Sequence, residues 1–423
     1  MRQSVKINKP YMEDDVLYVC LSLIDSRPAC PLCQCTNVHR HGHVTKKMTH
    51  SVINHSKCII LYKAKRYKCI TCGRTFLEHN PLSSVNDSIS TYTKIEILHA
   101  LRNHNNTFTH VASQFNVSIQ KVSDIFDHHV QCKRLSLPEI MCIDEIYTAR
   151  ISSYKYACVL LDFKTNQIID IIPTRHKNYL RYYFGTLNRN AIMNVKTVIM
   201  DMYEPYRDTI QSVIPKALIC IDSFHVIRQL NEAMKRIRID VMNTFKKKNK
   251  TFEHNDDRYY MLKKFHYFFV KDFERIYKGP INIPKFKARW NKYDILHYLL
   301  TIDNDLRNAY YLKEAYREFN LTASIHDKDE RVSTERAFLE LVHAFRNSVH
   351  EGFRAFGETL SNWQGEILNS FIGTENGRRL SNGPIEGMNS KIKTLIKISN
   401  GMRNFKRFRN RCMYALNKNM PIK

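Results

Sequence analysis

Short runs of almost uninterrupted apolar residues mark the middle of the chain. Five such runs have the length and composition of buried strands. They lie at residues 141–144, 156–162, 167–172, 197–201 and 217–222. A turn-like link between the second and third runs predicts a hairpin. Residues 205–213 separate the last two runs and are long enough for one helix, so we expect a right-handed strand–helix–strand crossover there.

A three-stranded meander followed by such crossovers is the element order of a ribonuclease H-like domain. A long segment with a different pattern of residues then follows the predicted strands. Residues 230–370 are rich in aromatic side chains and helical in pattern, and they show no strand-like alternation. We therefore predict an all-α insertion in a multidomain chain of α+β and α/β structure.

Residues 109–126 have the pattern of a helix-turn-helix motif. Ala112 is small where the two helices would cross, and Asn116 can adopt the left-handed conformation that the turn needs. Ser118 can cap the second helix. The outward face of that helix would then carry Ser118, Gln120 and Lys121, and this is the face that enters the major groove of DNA.

Charge narrows the choice of partner. The 423 residues include 66 Lys and Arg against 40 Asp and Glu, a net charge of +26, and nucleic acid is the polyanion that this excess favours. The sequence shows no basic amphipathic helix with an aromatic face, which a protein that binds a membrane surface would need. No apolar run approaches the roughly 20 residues of a membrane span, and the N-terminus is too charged for a signal peptide. We expect a soluble intracellular protein without a membrane partner.

Two pairs of cysteines share the spacing of metal ligands. Such a turn presents two thiolates on one face, and tetrahedral Zn²⁺ takes two turns of this kind. We therefore predict a zinc ribbon whose ligands are Cys30, Cys33, Cys69 and Cys72. The alternating segment 58–68 fits the hairpin that separates such pairs. Four nearby side chains that could compete as ligands are expected on the surface: Cys35, His39, His41 and His43.

Basic residues are interleaved with aromatic residues along the predicted ribbon. Its candidates for contacts with DNA phosphates are Lys65, Arg66 and Arg74. The C-terminal stretch from Met388 has ten Lys and Arg and no acid, and we expect it to lie along the DNA backbone. The candidates there are Lys391, Lys393 and Arg403.

Three of the predicted strands end in aspartate. Asp144, Asp201 and Asp222 would meet at the carboxyl edge of one sheet, which is where α/β folds place their ligands. Carboxylates crowded together are costly without a cation, and Mg²⁺ prefers oxygen ligands. The sequence therefore predicts a metal site. Spacing alone does not rank Asp201 above Asp222.

A fourth acidic residue lies far away along the chain. Glu386 falls in the first turn of a predicted helix, two residues after Pro384, and shares a polar stripe with Asn389 and Lys393. A lone glutamate at this position would be a residue that favours the helix dipole. Together with the three aspartates, it can overhang the metal site at the sheet edge.

These residues carry a resemblance to a known family. The motifs are Cys30-x-x-Cys33 with Arg66-Tyr67-x-Cys69-x-x-Cys72-Gly73-Arg74-x-Phe76, Ile143-Asp144-Glu145, Asp201-Met202-Tyr203-x-Pro205-Tyr206, Asp222-Ser223-Phe224-His225-Val226, Ser381-Asn382-Gly383-Pro384-x-Glu386-Gly387-x-Asn389 and Gly401-x-Arg403-Asn404-Phe405. In this order, over nearly the whole chain, they resemble the ISL-three family of bacterial insertion-sequence transposases. Gln34 departs from the pattern, since a glycine is common directly after the first cysteine pair.

The resemblance implies a DDE transposase. Asp144, Asp201 and Glu386 would be the catalytic carboxylates that hold Mg²⁺ or Mn²⁺, and Zn²⁺ would occupy the ribbon. The implied accessory residues are Asp222, His225 and Asn389. Such a protein would bind the terminal inverted repeats of its element on double-stranded DNA, as a homodimer or higher assembly, and would cleave and transfer strands in the bacterial cytoplasm, at the nucleoid.

Two other functions are compatible with parts of the pattern. One is a sequence-specific DNA-binding repressor whose nuclease-like domain is inert, and the other is a zinc-ribbon nuclease that processes RNA. The complete carboxylate set disfavours the repressor, and the helix-turn-helix pattern favours duplex DNA over RNA.

We expect six segments in total. They are an N-terminal arm (1–27), a zinc ribbon (28–82), a helix-turn-helix domain (83–135), the first part of a ribonuclease H-like catalytic domain (136–230), an all-α insertion (231–370), and the second part of the catalytic domain with a basic tail (371–423).

Overall fold

The protein, in a computed structural model, is a multidomain chain of mixed α and β structure. The structure describes residues 5–24, 28–50, 57–84, 87–246, 256–373, 379–399, 401–418 and 420–421. The chain forms two compact units. The first comprises Met1–Leu135, Ile146–Tyr156 and Met388–Lys423, and the second comprises Ser136–Glu145 and Ala157–Gly387.

The first unit begins with a sheet that has six strands in the described residues. The strands are β1 (Val5–Ile7), β2 (Tyr11–Glu13), β3 (Val16–Leu23), β4 (Val38–His50), β5 (Lys57–Cys69) and β6 (Thr75–Leu77). β4 and β5 form the long antiparallel hairpin that was expected between the cysteine pairs. β3 pairs with β5 in parallel, and its Leu21 and Leu23 pack around the buried Tyr62.

The expected N-terminal arm differs from what is found. Residues 5–23 are strands of this sheet, whereas residues 1–4 and 25–27 lie outside the described part of the chain. The apolar residues of β3 explain the difference, since a strand that can bury Leu21 and Leu23 gains more from pairing with β5 than from exposure to water.

Three helices follow in the first unit. They are α1 (Thr91–Ala100), α2 (Phe108–Gln114) and α3 (Ile119–His129). Between α2 and α3, Asn116 takes the left-handed conformation, with φ of 54°, and the Ser118 hydroxyl accepts a hydrogen bond from the backbone of Lys121 at the start of α3. Val111 and Val122 are fully buried between these helices, as the spacing of the apolar residues predicts.

A five-stranded sheet forms the centre of the second unit, within the described residues. Its strands are β7 (Ile140–Tyr147), β8 (Tyr156–Asp162), β9 (Ile168–Ile172), β10 (Thr197–Met200) and β11 (Leu218–Ile221). Their spatial order is β11-β10-β7-β8-β9, with β10 parallel to β7 and β11, and β8 antiparallel to β9. The connecting helices are α4 (Lys177–Gly185), α5 (Arg189–Met193) and α6 (Glu204–Val213).

A mainly helical segment follows the last strand of this sheet. Its helices are α7 (Ser223–Thr244), α8 (Asp257–Lys264), α9 (Lys292–Thr301), α10 (Asn304–Thr322), α11 (Lys328–Arg346), α12 (Glu351–Asn362) and α13 (Gln364–Asn369). The prediction of an all-α insertion is wrong in one place, where β12 (Ile281–Ile283) and β13 (Ala288–Trp290) form an antiparallel pair. Strands of three residues are too short to show an alternation in the sequence.

Two helices end the chain, α14 (Gly383–Ile398) and α15 (Phe405–Leu416). In α15, one basic residue of the tail is buried inside the protein. Arg411 is 1% exposed and donates to the backbone carbonyls of Leu101, Asn103 and Asn106 within the first unit. Part of the positive charge of the tail is therefore used inside the protein. No helix in the described residues is both long and apolar enough to cross a membrane.

Candidate active site and metal centres

Three aspartates lie in one row across parallel strands. Asp201 and Asp222 directly follow β10 and β11, whereas Asp144, which was expected at a strand end, lies inside β7. β10 pairs in register with β7 on one side and with β11 on the other. Continued to the strand ends, these registers align Asp144, Asp201 and Asp222. Side chains at aligned positions of parallel strands point to the same face of a sheet, so the three carboxylates belong to one side of its edge.

A histidine joins two of these aspartates. His225 lies in the first turn of α7, and its Nε2 is 3.0 Å from Oδ2 of Asp201 while its Nδ1 is 3.5 Å from Oδ2 of Asp222. Asp222 also caps α7 by accepting a hydrogen bond from the backbone of Phe224. Among the described residues, ligand atoms of Asp201, Asp222 and His225 all lie within 4.8 Å of one another.

The charge of His225 compensates the two carboxylates. Its hydrogen bond to Asp201, and then its interaction with Asp222, raise the pKa of the imidazole to about 10, against the opposing effect of burial. The positively charged imidazolium lies between two carboxylates and reduces the repulsion between them.

An asparagine that the sequence pattern did not single out holds Asp201 from the other side. The fully buried Asn382 donates from Nδ2 to Oδ1 of Asp201 at 2.8 Å. Its own Oδ1 is buried and has no hydrogen-bond partner among the described residues. Asn382 stands in the Ser-Asn-Gly-Pro motif, but an asparagine before glycine also fits an ordinary helix cap, so its sequence position gave it no distinct role.

Glu386 lies one turn after Asn382. Its backbone N–H donates to the carbonyl of Asn382 at 2.9 Å, so the two residues occupy the same side of α14. The Glu386 side chain is exposed, and Oδ1 of the half-buried Asp144 accepts from the backbone of Glu145. Neither Asp144 nor Glu386 belongs to the 4.8 Å group that the described residues form around His225.

A second acid–base pair borders the aspartates. Glu145 accepts a hydrogen bond from Arg175 at 2.7 Å, and the Arg175 guanidinium lies 4.8 Å from the centre of the Tyr203 ring. Burial raises the pKa of Glu145, the charge of Arg175 opposes that rise, and the charge of Asp201 adds to it. The sequence reasoning gave no role to Glu145 or Arg175, although Glu145 and Tyr203 stand in the quoted motifs.

Four sulfur atoms meet in the first unit. The Sγ atoms of Cys30 and Cys72 are 3.6 Å apart, as are those of Cys33 and Cys69, and all four lie within 4.8 Å of one another. These separations exclude disulfides, which need about 2.05 Å. They approach the roughly 3.8 Å between sulfurs of a tetrahedron with Zn–S bonds of about 2.3 Å. The donor set therefore fits structural zinc.

The two cysteine turns share one backbone geometry. The N–H of Gln34 donates to the carbonyl of Cys30 at 2.9 Å, and that of Gly73 donates to the carbonyl of Cys69 at 3.0 Å. Both donors have positive φ, 58° and 69°. A backbone hydrogen bond from Cys72 lowers the pKa of Cys69 to about 6, which favours the thiolate that a metal binds.

Residues 141–412 match the sequence profile of the ISL-three family of DDE transposases, which carries the description "Transposase". The chain belongs to this family. The transposase for insertion sequence element IS1001 of Bordetella parapertussis is 33% identical over 106 residues, which are 25% of this chain and 26% of that relative. The chain thus spans about a quarter of the length of this relative.

The acidic edge of this ISL-three protein offers suitable donors for a divalent cation. Mg²⁺ binds through one or two carboxylates together with water and substrate phosphate. Asp144 and Asp201 are aligned in register, and the unpartnered Oδ1 of Asn382 lies beside them. Glu386 would add a carboxylate from α14. The oxygen donors therefore fit a divalent cation.

The three candidate DNA-contacting residues of the ribbon differ in whether their side chains are available to DNA. Arg66 and Arg74 are exposed, whereas Nζ of Lys65 donates to the carbonyl of Ile24 at 3.1 Å. Near the first cysteine pair, His39, His41 and His43 are exposed, as expected. Cys35 is half-buried and accepts from the Thr71 hydroxyl.

The remaining candidates lie on helices. On α3, Gln120 is exposed and donates to Asp124, and Ser118 acts as the cap. Lys121 is half-buried. Lys391 and Lys393 of α14 and Arg403 before α15 are exposed. Asn389 corrects a prediction, because it is only 3% exposed and does not share an open polar stripe with Glu386.

Proposed function

We propose that the protein binds the terminal inverted repeats of its insertion sequence and catalyses metal-dependent cleavage and strand transfer of DNA. Membership of the transposase family supports the class of reaction. The observation that carries the proposal is the environment of Asp201. This carboxylate is held by Asn382 and His225, is aligned with Asp144, and lies near the turn of α14 that contains Glu386.

The strand order supports a ribonuclease H-like catalytic domain. A meander of β7, β8 and β9 is followed by parallel β10 and β11 on the other side of β7. This arrangement puts the first strand at the centre of the sheet, and it brings the ends of β7, β10 and β11 to one edge. We assign catalysis to residues 136–230 and 371–423, and the segment between them to an insertion.

The catalytic carboxylates in this proposal are Asp144, Asp201 and Glu386. Accessibility favours Asp201 over Asp222, because their side chains are 27% and 4% exposed. Asp222 and His225 then act on Asp201, by holding its carboxylate in one orientation and by balancing its charge. Asn389 is an accessory residue of the same helix as Glu386.

The reaction needs no covalent bond to the protein. Paired Mg²⁺ or Mn²⁺ ions, when bound, activate the attacking oxygen and stabilise the leaving oxygen. Asp144, Asp201 and Glu386 would hold these cations, because carboxylates alone would repel the negatively charged phosphate. Hydrolysis breaks the bond between phosphorus and the 3′ oxygen, which leaves as a hydroxyl. That 3′-hydroxyl then attacks a phosphodiester of the target and exchanges one phosphodiester bond for another.

DNA binding is assigned to the first unit. The capped helix α3 fits the recognition helix of a helix-turn-helix domain, with Gln120 and Lys121 facing bases or phosphates. The zinc ribbon, with Arg66 and Arg74, and the exposed Lys391, Lys393 and Arg403 would contact the backbone. Joining two element ends calls for a homodimer or larger assembly, and such a protein works at the bacterial nucleoid, in the cytoplasm.

The test is cleavage of DNA that flanks the gene of the protein. In the presence of Mg²⁺ or Mn²⁺ we expect nicks at discrete positions at the element ends, mapped to single nucleotides. Asp144→Asn removes a carboxylate without a change in size, so it should abolish cleavage and leave end binding intact. Equal cleavage by this variant would refute the proposed site. Binding without cleavage by the unmodified protein would favour a repressor, and a preference for RNA would favour an RNA-processing nuclease.

A further inference from the structure

A cleft of about 730 Å³ in the second unit extends from Asp222 and Ser381 to the insertion. Its other walls come from the start of α7, the segment after α8, and the end of α10. The side chains that define its chemistry are Phe224, Ile227, Leu321, Lys271, Arg275 and Arg317. This volume falls in the range of about 300 to 1,000 Å³ that suits a single small ligand.

The apolar side chains of the cleft are unusually open to solvent. Phe224 is 58% exposed and Leu321 is 72% exposed. Phe224 stands between Asp222 and His225 in the chain, and its ring centre is 5.7 Å from that of His225. His225 in turn is 3.0 Å from Asp201. An exposed aromatic side chain therefore lies beside the histidine that contacts the acidic edge.

The charged side chains of the cleft favour an anion. Lys271, Arg275 and Arg317 face it with one acid, Asp272, which is 3.7 Å from both arginines. The other acid of the lining, Asp222, is buried and paired with His225. Since the Arg275 side chain is 85% exposed and Lys271 is exposed, two cations remain accessible to a ligand.

We propose that this cleft binds one unpaired nucleotide of the DNA strand, next to the phosphate that is cut. Phe224 stacks on the extruded base, Leu321 covers its edge, and Lys271 and Arg275 contact the adjoining phosphates. The inference rests on the proposed function. An unpaired nucleotide fits better than duplex, because a base offers its face to a side chain only after it has left the stack, and the cleft has the size of one nucleotide.

The first test measures extrusion without cleavage. An element-end duplex carries 2-aminopurine in place of the base next to the cut, and Asp144→Asn keeps the DNA intact. Binding of the protein should change 2-aminopurine emission at that position, and the added substitution Phe224→Ala should remove the change. Phe224→Trp should retain it. Tyr182→Ala is the matched control, since Tyr182 is an exposed tyrosine of α4 outside the cleft.

The second test uses cleavage by protein with Asp144 unchanged. Phe224→Ala should slow cutting of fully paired DNA by about tenfold, the usual effect of losing one stacked base. A substrate already unpaired at the flanking position should recover most of that loss, because the cost of extrusion has been removed. Equal rates for Phe224→Ala and wild type on paired DNA, or an unchanged emission signal, would overturn the inference. If the wild type does not cut at all, the proposed function fails, while the emission test still decides the cleft.

The third test addresses the phosphates. The double substitution Lys271→Ala and Arg275→Ala should lower the slope of log affinity against log salt by about 0.7 for each lost contact to a single strand. Lys216→Ala, at an exposed position after α6, should have no such effect on the unpaired substrate. If the double substitution left the slope unchanged, Lys271 and Arg275 would not contact the phosphates of the bound strand.

Discussion

Asn382 donates its side-chain amide to Asp201 across 181 positions of sequence, at 2.8 Å. This hydrogen bond ties the start of α14, which carries Glu386 one turn later, to the end of β10. The contact therefore connects the two parts of the proposed catalytic domain that are separated in the sequence.

Loss of this contact should weaken catalysis more than folding. We expect Asn382→Ala to lower the cleavage rate by about 10- to 100-fold, the usual cost of removing a residue that orients a metal ligand, and to raise the Mg²⁺ concentration needed for half-maximal rate. Asn369→Ala is the control, because Asn369 is also buried and donates to the carbonyl of Ile219, away from the aspartates. A variant at Asn382 with the metal dependence of the wild type would contradict this role.

The four-cysteine cluster should bind one zinc ion. Cys69→Ser removes a thiolate, so we expect zinc content measured by plasma mass spectrometry to fall from one ion per chain to near zero. Zinc supplies on the order of 10 kcal/mol to such a module, and amides of β4 and β5 should then exchange rapidly with solvent. Cys35→Ser, next to the cluster but outside it, should keep its zinc. Zinc loss in both variants would mean that the ligand set is different.

Gln34 carries backbone strain that Gly73 avoids. Both have positive φ at the same place in the two cysteine turns, and a residue with a Cβ atom pays about 1 to 2 kcal/mol in that conformation. We expect Gln34→Gly to stabilise the ribbon by up to about 1 kcal/mol, after the greater chain entropy of glycine is included. Competition with a zinc chelator measures the gain. Gly73→Ala should lose stability in the same assay, and a loss from Gln34→Gly would show that the glutamine side chain outweighs the strain.

Arg411 should matter for stability and not for DNA contact. Arg411→Met removes the donor to the carbonyls of Leu101 and Asn106 and one of the two donors to the carbonyl of Asn103, so we expect the first unit to lose about 2 kcal/mol or more. Hydrogen exchange at α1 amides measures this loss. Lys406→Ala, at an exposed position of the same helix, should change stability by less than about 0.5 kcal/mol. Similar exchange in both variants would show that the carbonyls find other partners.

The apolar runs predicted the central sheet well because buried strands leave few alternatives. The run at 156–162 coincides with β8, and the pair at 197–201 and 217–222 overlaps β10 and β11. The cysteine spacing likewise identified the sulfur cluster, since thiolate pairs of this spacing have few other uses. In both cases the local chemistry of the side chains is enough to specify the structure.

Long-range polar contacts were not predictable in this way. An asparagine before glycine fits a simple cap, so the contact of Asn382 with Asp201 appears only after folding. A basic tail fits a solvent-exposed surface, yet Arg411 is buried and donates to carbonyls that lie more than 300 residues earlier in the chain. His225 is similar, because its role depends on the distance between two strand ends that the spacing of residues does not encode.

The carbonyl of Leu101 accepts a hydrogen bond from Arg411, which lies 310 residues later in the chain. At a translation rate of 5 to 20 residues per second, roughly 15 to 60 s pass between the synthesis of the two partners. During that interval α1 lacks the residue that satisfies its C-terminal loop. A message with a premature stop codon before Arg411 would leave this loop permanently without that donor.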